Sequence, residues 1–357
     1  MAGLLLDVTR LLYRRMRGRL PTGIDRVGLE YVRHFAPRAR AVLSYAGGAA
    51  VLSQRLSGRA FASLGAAANA APLPGSILLN TGHHGLQHAR YAAALRRRGA
   101  RTVVFLHDLI PIEYPQYCRR GEHERHAARA RNALGFARGI IVNSRDTLER
   151  LRAFAAAAHL ACPPALVAPL ASSLAPHPPG ARPLAEPYFV VLGTIEPRKN
   201  HRLLLDVWAR LGSRAPRLVV IGQRGWLCDD VLERLEQSHP LVIRSERCSD
   251  ADLATWLHHA RALLMPSHAE GYGLPVAEAL AAGVPVIASD LPVFHETAGE
   301  VPEYAPSSHV ERWSELVAAY ALEPSTLRAA QLERMKRYRP TSWTQHFCAV
   351  ESFLTSI

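Results

Sequence analysis

Short apolar runs recur along this chain in two separate series, each run followed by a segment with helical spacing, and that alternation most limits what it can fold into. A run too short for a buried helix, rich in Val, Ile and Leu and apolar throughout, suits a strand covered on both faces. Helix-length connections between such strands make them parallel. In the first series strands are predicted over 3–8, 41–45, 77–80, 102–106 and 140–143, with helices over 23–34, 88–98, 122–137 and 146–157. In the second, strands are predicted over 188–192, 218–221, 241–244, 262–265 and 285–288, with helices beginning near Asn200, Asp229, Ser249 and Pro275. The expected class is α/β, with two doubly wound, Rossmann-like domains facing a cleft.

A proline-dense stretch without periodicity, 171–187, separates the series and reads as a linker. The expected division is a domain over 1–175, a linker over 176–187, a domain over 188–338 and a last helix over 339–357, following the break at Arg339-Pro340-Thr341-Ser342-Trp343. A length of 357 residues suits two cores, and 48% hydrophobic against 20% charged residues excludes a disordered chain. Asn200 is placed to cap the helix that carries Leu203, Leu204, Val207, Trp208 and Leu211, and Ser249 with Asp252 to cap the helix running to His259. The opening apolar run is broken by Asp7, too soon for a signal peptide or a membrane span, so a cytoplasmic protein is expected. Five scattered cysteines without a C-x-x-C predict free thiols.

The net charge of +13 is carried almost wholly by arginine, since only Lys199 and Lys336 among the 43 basic residues are lysines. Arg10, Arg14, Arg15, Arg17, Arg19 and Arg26 crowd into what reads as a long basic loop, mixed with Leu11, Leu12, Tyr13, Met16 and Leu20. That mixture fits peripheral contact with an anionic membrane surface, and it equally fits a solvated loop without a partner. Nucleic acid is not expected as a partner, because no aromatic-basic platform accompanies the charge.

Chemistry concentrates in the second half, in S-H-A-E-G-Y-G-L-P-V-A-E-A-L. Gly271 and Gly273 describe a turn that bares backbone N–H groups, and Pro275 sits at an early helical position where its missing donor costs nothing. Such a helix start attracts anions. A phosphate on the amides of Tyr272, Gly273 and Leu274, with Glu270 and Glu278 accepting from sugar-like hydroxyls, outlines a nucleotide-sugar site. Earlier, V-L-G-T-I-E-P-R-K-N-H places Arg198 and Lys199 after a strand and the Gly193-Thr194 turn, where two cations can neutralise a diphosphate and a leaving group.

Read together, the two segments resemble the E-x7-E signature and the accompanying donor-side motif of the retaining glycosyltransferases of family 4. The resemblance implies the GT-B fold, with an N-terminal acceptor domain and a C-terminal nucleotide-sugar domain. It implies that Arg198 and Lys199 hold the donor's pyrophosphate, that Glu278 accepts both ribose hydroxyls and that Glu270 faces the donor sugar. The nucleobase would be read by the loop carrying Arg244 and Cys248. His107, ending the strand in V-V-F-L-H-D-L, matches the family's histidine near the reacting end of the sugar, with Asp108 placed to orient it or to bind acceptor. His83 and His84 could line the same region, and the T-G-I-D-R segment departs from the family's short glycine-rich loop, with Gly23 placed to let backbone approach the phosphates or acceptor and Asp25 and Arg26 to bind acceptor. In that segment Asp25 and Arg26 could also pair with each other.

The activity implied is transfer of a hexose, with retention, from a nucleoside-diphosphate sugar to a glycan or lipid-linked acceptor in bacterial O-antigen, capsule or exopolysaccharide assembly. GDP-mannose is the leading donor, with rhamnosyl and glucosyl transfer as near rivals. A GT-B epimerase and a non-catalytic scaffold at the membrane are the other classes considered. No cofactor is expected beyond the donor itself, and no divalent metal, because the donor-side loops carry no D-x-D.

Overall fold

The structure is a computed structural model that describes residues 3–67, 76–97, 99–174, 179–237 and 241–357. Residues 176–178 of the expected linker and Arg98 lie outside the described residues. The chain divides into two compact units, one of Met1–Glu113, Gly121–Ser173 and Ser342–Ile357, the other of Tyr114–Arg120 and Leu174–Thr341.

The first unit runs β1 (Leu4–Asp7), α1 (Thr9–Met16), α2 (Gly23–Phe35), β2 (Ala39–Tyr45), β3 (Gly48–Val51), α3 (Gln54–Ser63), β4 (Ile77–Asn80), α4 (Ala89–Arg96), β5 (Arg101–Leu106), α5 (Ile110–Glu113), α6 (Glu122–Phe136), β6 (Gly139–Val142), α7 (Arg145–Ala157) and β7 (Ala165–Val167). Its sheet has the order β3-β2-β1-β4-β5-β6-β7, parallel except for β3, which pairs antiparallel with β2 at the edge. The last helix of the chain also belongs here, because Phe347, Val350 and Leu354 bury one apolar face. Its His346 ring shares a buried hydrogen bond with the Tyr31 hydroxyl at 3.0 Å, which supplies the partner that a buried phenol requires.

The second unit follows with β8 (Tyr188–Leu192), α8 (His201–Leu211), β9 (Arg217–Ile221), α9 (Asp229–Gln237), β10 (Val242–Ser245), α10 (Asp250–His259), β11 (Leu263–Met265), α11 (Leu274–Ala281), β12 (Val286–Ser289), α12 (Pro292–Ala298), β13 (Glu303–Ala305), α13 (Val310–Ala321) and α14 (Thr326–Met335). Helix α15 (Trp343–Ser356) is the one that returns to the first unit. The second sheet is wholly parallel, ordered β10-β9-β8-β11-β12-β13. Two apolar layers cover its faces. One gathers Phe189, Leu204, Trp208, Leu264 and Trp313, and the other Tyr188, Val219, Leu257, Val286 and Phe294. Each such side chain contributes on the order of 2 kcal/mol on leaving water, so the layers, rather than any polar contact, hold the unit together.

Strand order reverses between β1 and β4 in the first sheet and between β8 and β11 in the second. Helices leave on opposite faces at those points, so the loops after the paired strands diverge and open a crevice. The segments singled out from the sequence, 193–199 and 266–273, are the two loops flanking the second reversal.

Three expectations are corrected. The long basic loop contains a helix, α1, because Arg10 and Arg14 on it reach the buried Asp25 carboxylate at 2.7 and 2.8 Å and pull it onto the unit. The helix opening at Gly23 is therefore the second, not the first. Asn200 stands at the start of α8 in a left-handed conformation, and its side chain caps nothing on that helix. Its Nδ2 instead donates to the carbonyls of Pro266 and Ser307 at 3.0 and 2.8 Å, stitching the loop after β8 to the loops after β11 and β13.

Candidate nucleotide-sugar site

After β8 the chain makes the Gly193-Thr194 turn, crosses Ile195 and Glu196, and enters a short 3-10 turn over Pro197–Lys199. Ile195 forms a parallel bridge with Arg224 beyond β9, which brings two backbones into contact. A Cβ on Gly222 would lie 1.8 Å from the Gly193 carbonyl oxygen and one on Gly225 2.5 Å from that of Ile195, so only glycine permits the approach. Neither Gly222 nor Gly225 was singled out from the sequence; the signal available was a glycine directly after the strand 218–221.

Opposite, β11 ends at Met265, Pro266 and Ser267 follow, and the loop through Gly273 starts α11. Gly273 has φ +85°, and a Cβ there would meet Phe294 at 2.5 Å. Backbone conformation and packing therefore both demand glycine at this start. Leu274 opens the helix and is buried, as is Tyr272, whose carbonyl accepts from Thr297 Oγ1 at 2.8 Å. Pro275 has no N–H and the Val276 N–H returns to the Gly273 carbonyl at 2.8 Å, so the helix starts tightly on Gly273, and the axial dipole makes that end positive. Glu278 lies one turn further along and is buried.

The two loops meet through charge. Lys199 Nζ donates to Glu270 Oε1 at 2.6 Å, and Ser267 Oγ donates to the same oxygen at 2.7 Å. Arg198 Nη1 lies 2.9 Å from Glu270 Oε2 and donates to the Ala269 carbonyl at 2.8 Å, while its Nη2 donates to Glu196 at 2.7 Å. A backbone bond from His268 N to Arg198 O at 2.8 Å completes the join. Burial pushes the Glu270 carboxyl upward, but the Arg198 and Lys199 charges, with the bonds from Lys199 and Ser267, outweigh it and bring the pKa down to about 2. Gly193 packs on the Lys199 stem, with the site of a Cβ 3.2 Å from Cε. The structure thus brings together Gly193, Arg198, Lys199 and Glu270, and adds Glu196 and Ser267, which sequence reasoning passed over. Both stood in view, one inside E-P-R-K, the other three residues before Glu270.

Thr194 abuts Gly225, and Gly271 lies in the turn between Glu270 and Tyr272. Arg244 lies near the end of β10 with its guanidinium on Glu246. Cys248 is half-buried, its thiol pushed up to about 11 by burial with Asp252 and Asp250 adding. The chain's single D-x-D, Asp250-Ala251-Asp252, lies outside the loops read as donor-side and serves the first turn of α10. Asp252 there accepts from Ser249 Oγ at 2.6 Å and donates its N–H back at 3.1 Å, the expected cap. Among the described residues no group of three or more His, Cys, Asp or Glu is placed to hold a metal.

The first unit gathers its own cluster at its switch point. His107 is buried and its Nε2 donates to Thr81 O at 2.8 Å. Burial lowers its pKa to about 4 against the opposing pull of that bond and of Asp108. His83 is buried 5.2 Å from it, ring to ring, with Nε2 on Phe105 O at 2.9 Å, and His126 donates to Asp108 O at 3.0 Å. Asp108 accepts from Ile110 N at 3.1 Å, a turn-forming contact. His84 Nδ1 meets Ser44 Oγ at 2.9 Å. Asp25 also accepts from Thr22 N and Oγ1 at 2.8 and 2.6 Å, so with Arg10 and Arg14 its role is to cap α2 and anchor α1. Gly23 and Arg26 sit on the first turn of α2, Gly23 with open space where a Cβ would be.

Residues 177–333 match the family of glycosyl transferases group 1. The serotype-specific mannosyltransferase WbdA of Escherichia coli is 36% identical over 146 residues, 38% of this chain and 18% of that protein. The O-antigen chain mannosyltransferase B of the same organism is 32% identical over 169 residues, 44% of this chain and 42% of the other. The chain thus spans less than half the length of these curated relatives. The crystal structure of Anabaena HepE in complex with UDP superposes over 100% of both chains with a TM-score of 0.71 at 15% identity, a likeness of fold. The chain accordingly has the two-unit GT-B fold, and its segment 177–333 is similar to the glycosyl transferases group 1.

Proposed function

We propose that the chain is a retaining hexosyltransferase that moves mannose from GDP-mannose to a hydroxyl of a glycan or lipid-linked acceptor in bacterial O-antigen, capsule or exopolysaccharide assembly. The observation that carries this reading is the Arg198, Lys199 and Glu270 cluster at the switch point of the second sheet, beside the glycine-started helix α11. The mannosyl assignment is supported by what its relatives are named. A UDP-sugar is the rival donor, since the solved neighbour binds UDP.

In this reading the donor's diphosphate takes Arg198, Lys199 and the backbone amides from Tyr272 to Leu274 where α11 starts. Glu278 accepts from the ribose hydroxyls, and Glu270, freed from part of its ion pairing, accepts from the hexose. The bond from the anomeric carbon to the phosphate oxygen then breaks. Charge grows on the leaving diphosphate, and fixed cations stabilise that state more than the ground state. The acceptor oxygen attacks from the face the diphosphate leaves, and its proton passes to the departing phosphate oxygen. Two side-chain cations supply the neutralisation, so no metal enters the scheme. His107 is assigned a hydrogen-bonding role at the reacting end of the sugar and acts there as a neutral ring.

Thermal shift against GDP-mannose, GDP, UDP-glucose and dTDP-rhamnose tests the donor, because only a ligand of the folded state raises the midpoint. GDP-mannose is expected to raise it most. Donor turnover is expected to fall sharply in Glu270→Ala, and unchanged turnover would remove the role given to that carboxylate.

A further inference from the structure

Helix α1 and the turn that follows present a face that folding does not use. Leu11 is buried beneath it. Outward stand Tyr13, Met16 and Leu20, exposed by 47%, 86% and 40%, three of the eight exposed large hydrophobic side chains among the described residues. Arg15, Arg17 and Arg19 are exposed between them. Asp25, the acid paired with this helix, is held by Arg10 and Arg14. Among the described residues no carboxylate pairs with Arg15, Arg17 or Arg19.

The turn is built rather than slack. Arg14 donates to the Leu20 carbonyl at 2.5 Å, and the N–H groups of Arg17 and Gly18 return to the carbonyls of Arg14 and Arg15 at 3.1 and 2.9 Å. Gly18 takes φ +60°, which lets the chain reverse and set Leu20 beside the helix end. Arg17 lies over the Tyr13 ring at 4.4 Å.

We propose that this face, the outer side of α1 with residues 15–21, docks on an anionic lipid bilayer. Met16, Leu20 and Tyr13 would enter the headgroup boundary while the arginine stems lie along it with their guanidinium groups among the phosphates. Charge complementarity selects that occupant: three unneutralised cations interleaved with apolar side chains match a surface that is anionic outside and apolar just beneath. A nucleic acid would need open aromatic faces for stacking, and the one aromatic here is covered by Arg17. The proposal does not depend on the donor site.

Sedimentation of the full chain with vesicles of phosphatidylcholine, alone or mixed equally with phosphatidylglycerol, tests it. Binding is expected only to the mixed vesicles and to weaken with salt. Arg15→Ser/Arg17→Ser/Arg19→Ser should lower partitioning by about a hundredfold, given roughly fivefold per cation. Met16→Ser/Leu20→Ser keeps every charge and should lower it by roughly tenfold or more. All the substituted side chains are exposed or half-exposed, so folding is preserved, which an unchanged melting midpoint verifies. Equal binding to neutral vesicles, or wild-type binding by either variant, overturns the proposal. So does a short DNA duplex that binds as tightly as the mixed vesicles and is indifferent to Met16→Ser/Leu20→Ser.

Discussion

Replacing Glu270 by Gln keeps the shape of the side chain and removes one negative charge from between two cations. The carboxylate accepts from Lys199, Ser267 and Arg198 within 2.6 to 2.9 Å, and the Lys199 and Glu270 side chains are only 11% and 9% exposed. In the Glu270→Gln variant Arg198 keeps its bond to Glu196, whereas Lys199 loses the carboxylate it pairs with. A carboxyl brought from 4.5 to about 2 corresponds to about 3 kcal/mol of native-state stabilisation, in line with the roughly 3–5 kcal/mol seen when one partner of a buried pair is removed. The sign follows from the depressed pKa: the contribution is complete above about pH 4.5 and disappears as pH falls toward 2. Urea unfolding of both proteins across that window should give a gap of about 3 kcal/mol at neutral pH that closes on acidification. The same change leaves the loop one unit more positive, so GDP measured by calorimetry should bind about tenfold tighter to Glu270→Gln, while transfer is lost. Equal stability at neutral pH, or a gap that widens toward acid, would refute the reasoning about the cluster. Weaker GDP binding by the variant would refute its link to the diphosphate.

Three more outcomes are expected. Gly273→Ala combines a left-handed backbone with a Cβ 2.5 Å from Phe294, so it should cost about 2–4 kcal/mol and abolish thermal shift by donor at temperatures where the variant is still folded. His107, held at about 4 by burial, should show no titration between about pH 5.5 and 8 by NMR, and its contribution to stability should be complete above about pH 6.5 and be lost as pH falls toward 4. Turnover should survive exhaustive treatment with a chelator, since side-chain cations take the place of a metal in the proposed scheme; loss of activity restored by a divalent ion would contradict it.

How much could be read in advance varies with the range of the interaction responsible. The strand runs 77–80 and 188–192 coincide with β4 and β8, because continuous apolar character over a few residues is a local signal. The edge strand β3, built from Gly48, Ala49, Ala50 and Val51, escaped because small residues lack that signal and only the antiparallel partner β2 makes them a strand. The short β7 and β13 escaped because three residues are too few for a run to stand out, and only the parallel partners β6 and β12 make them strands. Helix α1 was hidden because its arginines read as a solvated loop, whereas the Asp25 carboxylate that holds Arg10 lies fifteen positions away.

The order of apolar runs and the spacing of Gly271, Gly273 and Pro275 determined two parallel α/β sheets and an anion-attracting helix start, because dihedral preference and periodicity act between neighbours in the chain. Tertiary structure alone decided that Lys199 and Glu270, 71 positions apart, would touch. It also decided that Asn200 would bind the carbonyls of Pro266 and Ser307, and that Gly222 would lie against Gly193. Those contacts depend on strands β8, β9 and β11 lying side by side, an arrangement fixed by the burial of both faces of the sheet at once and by no segment on its own.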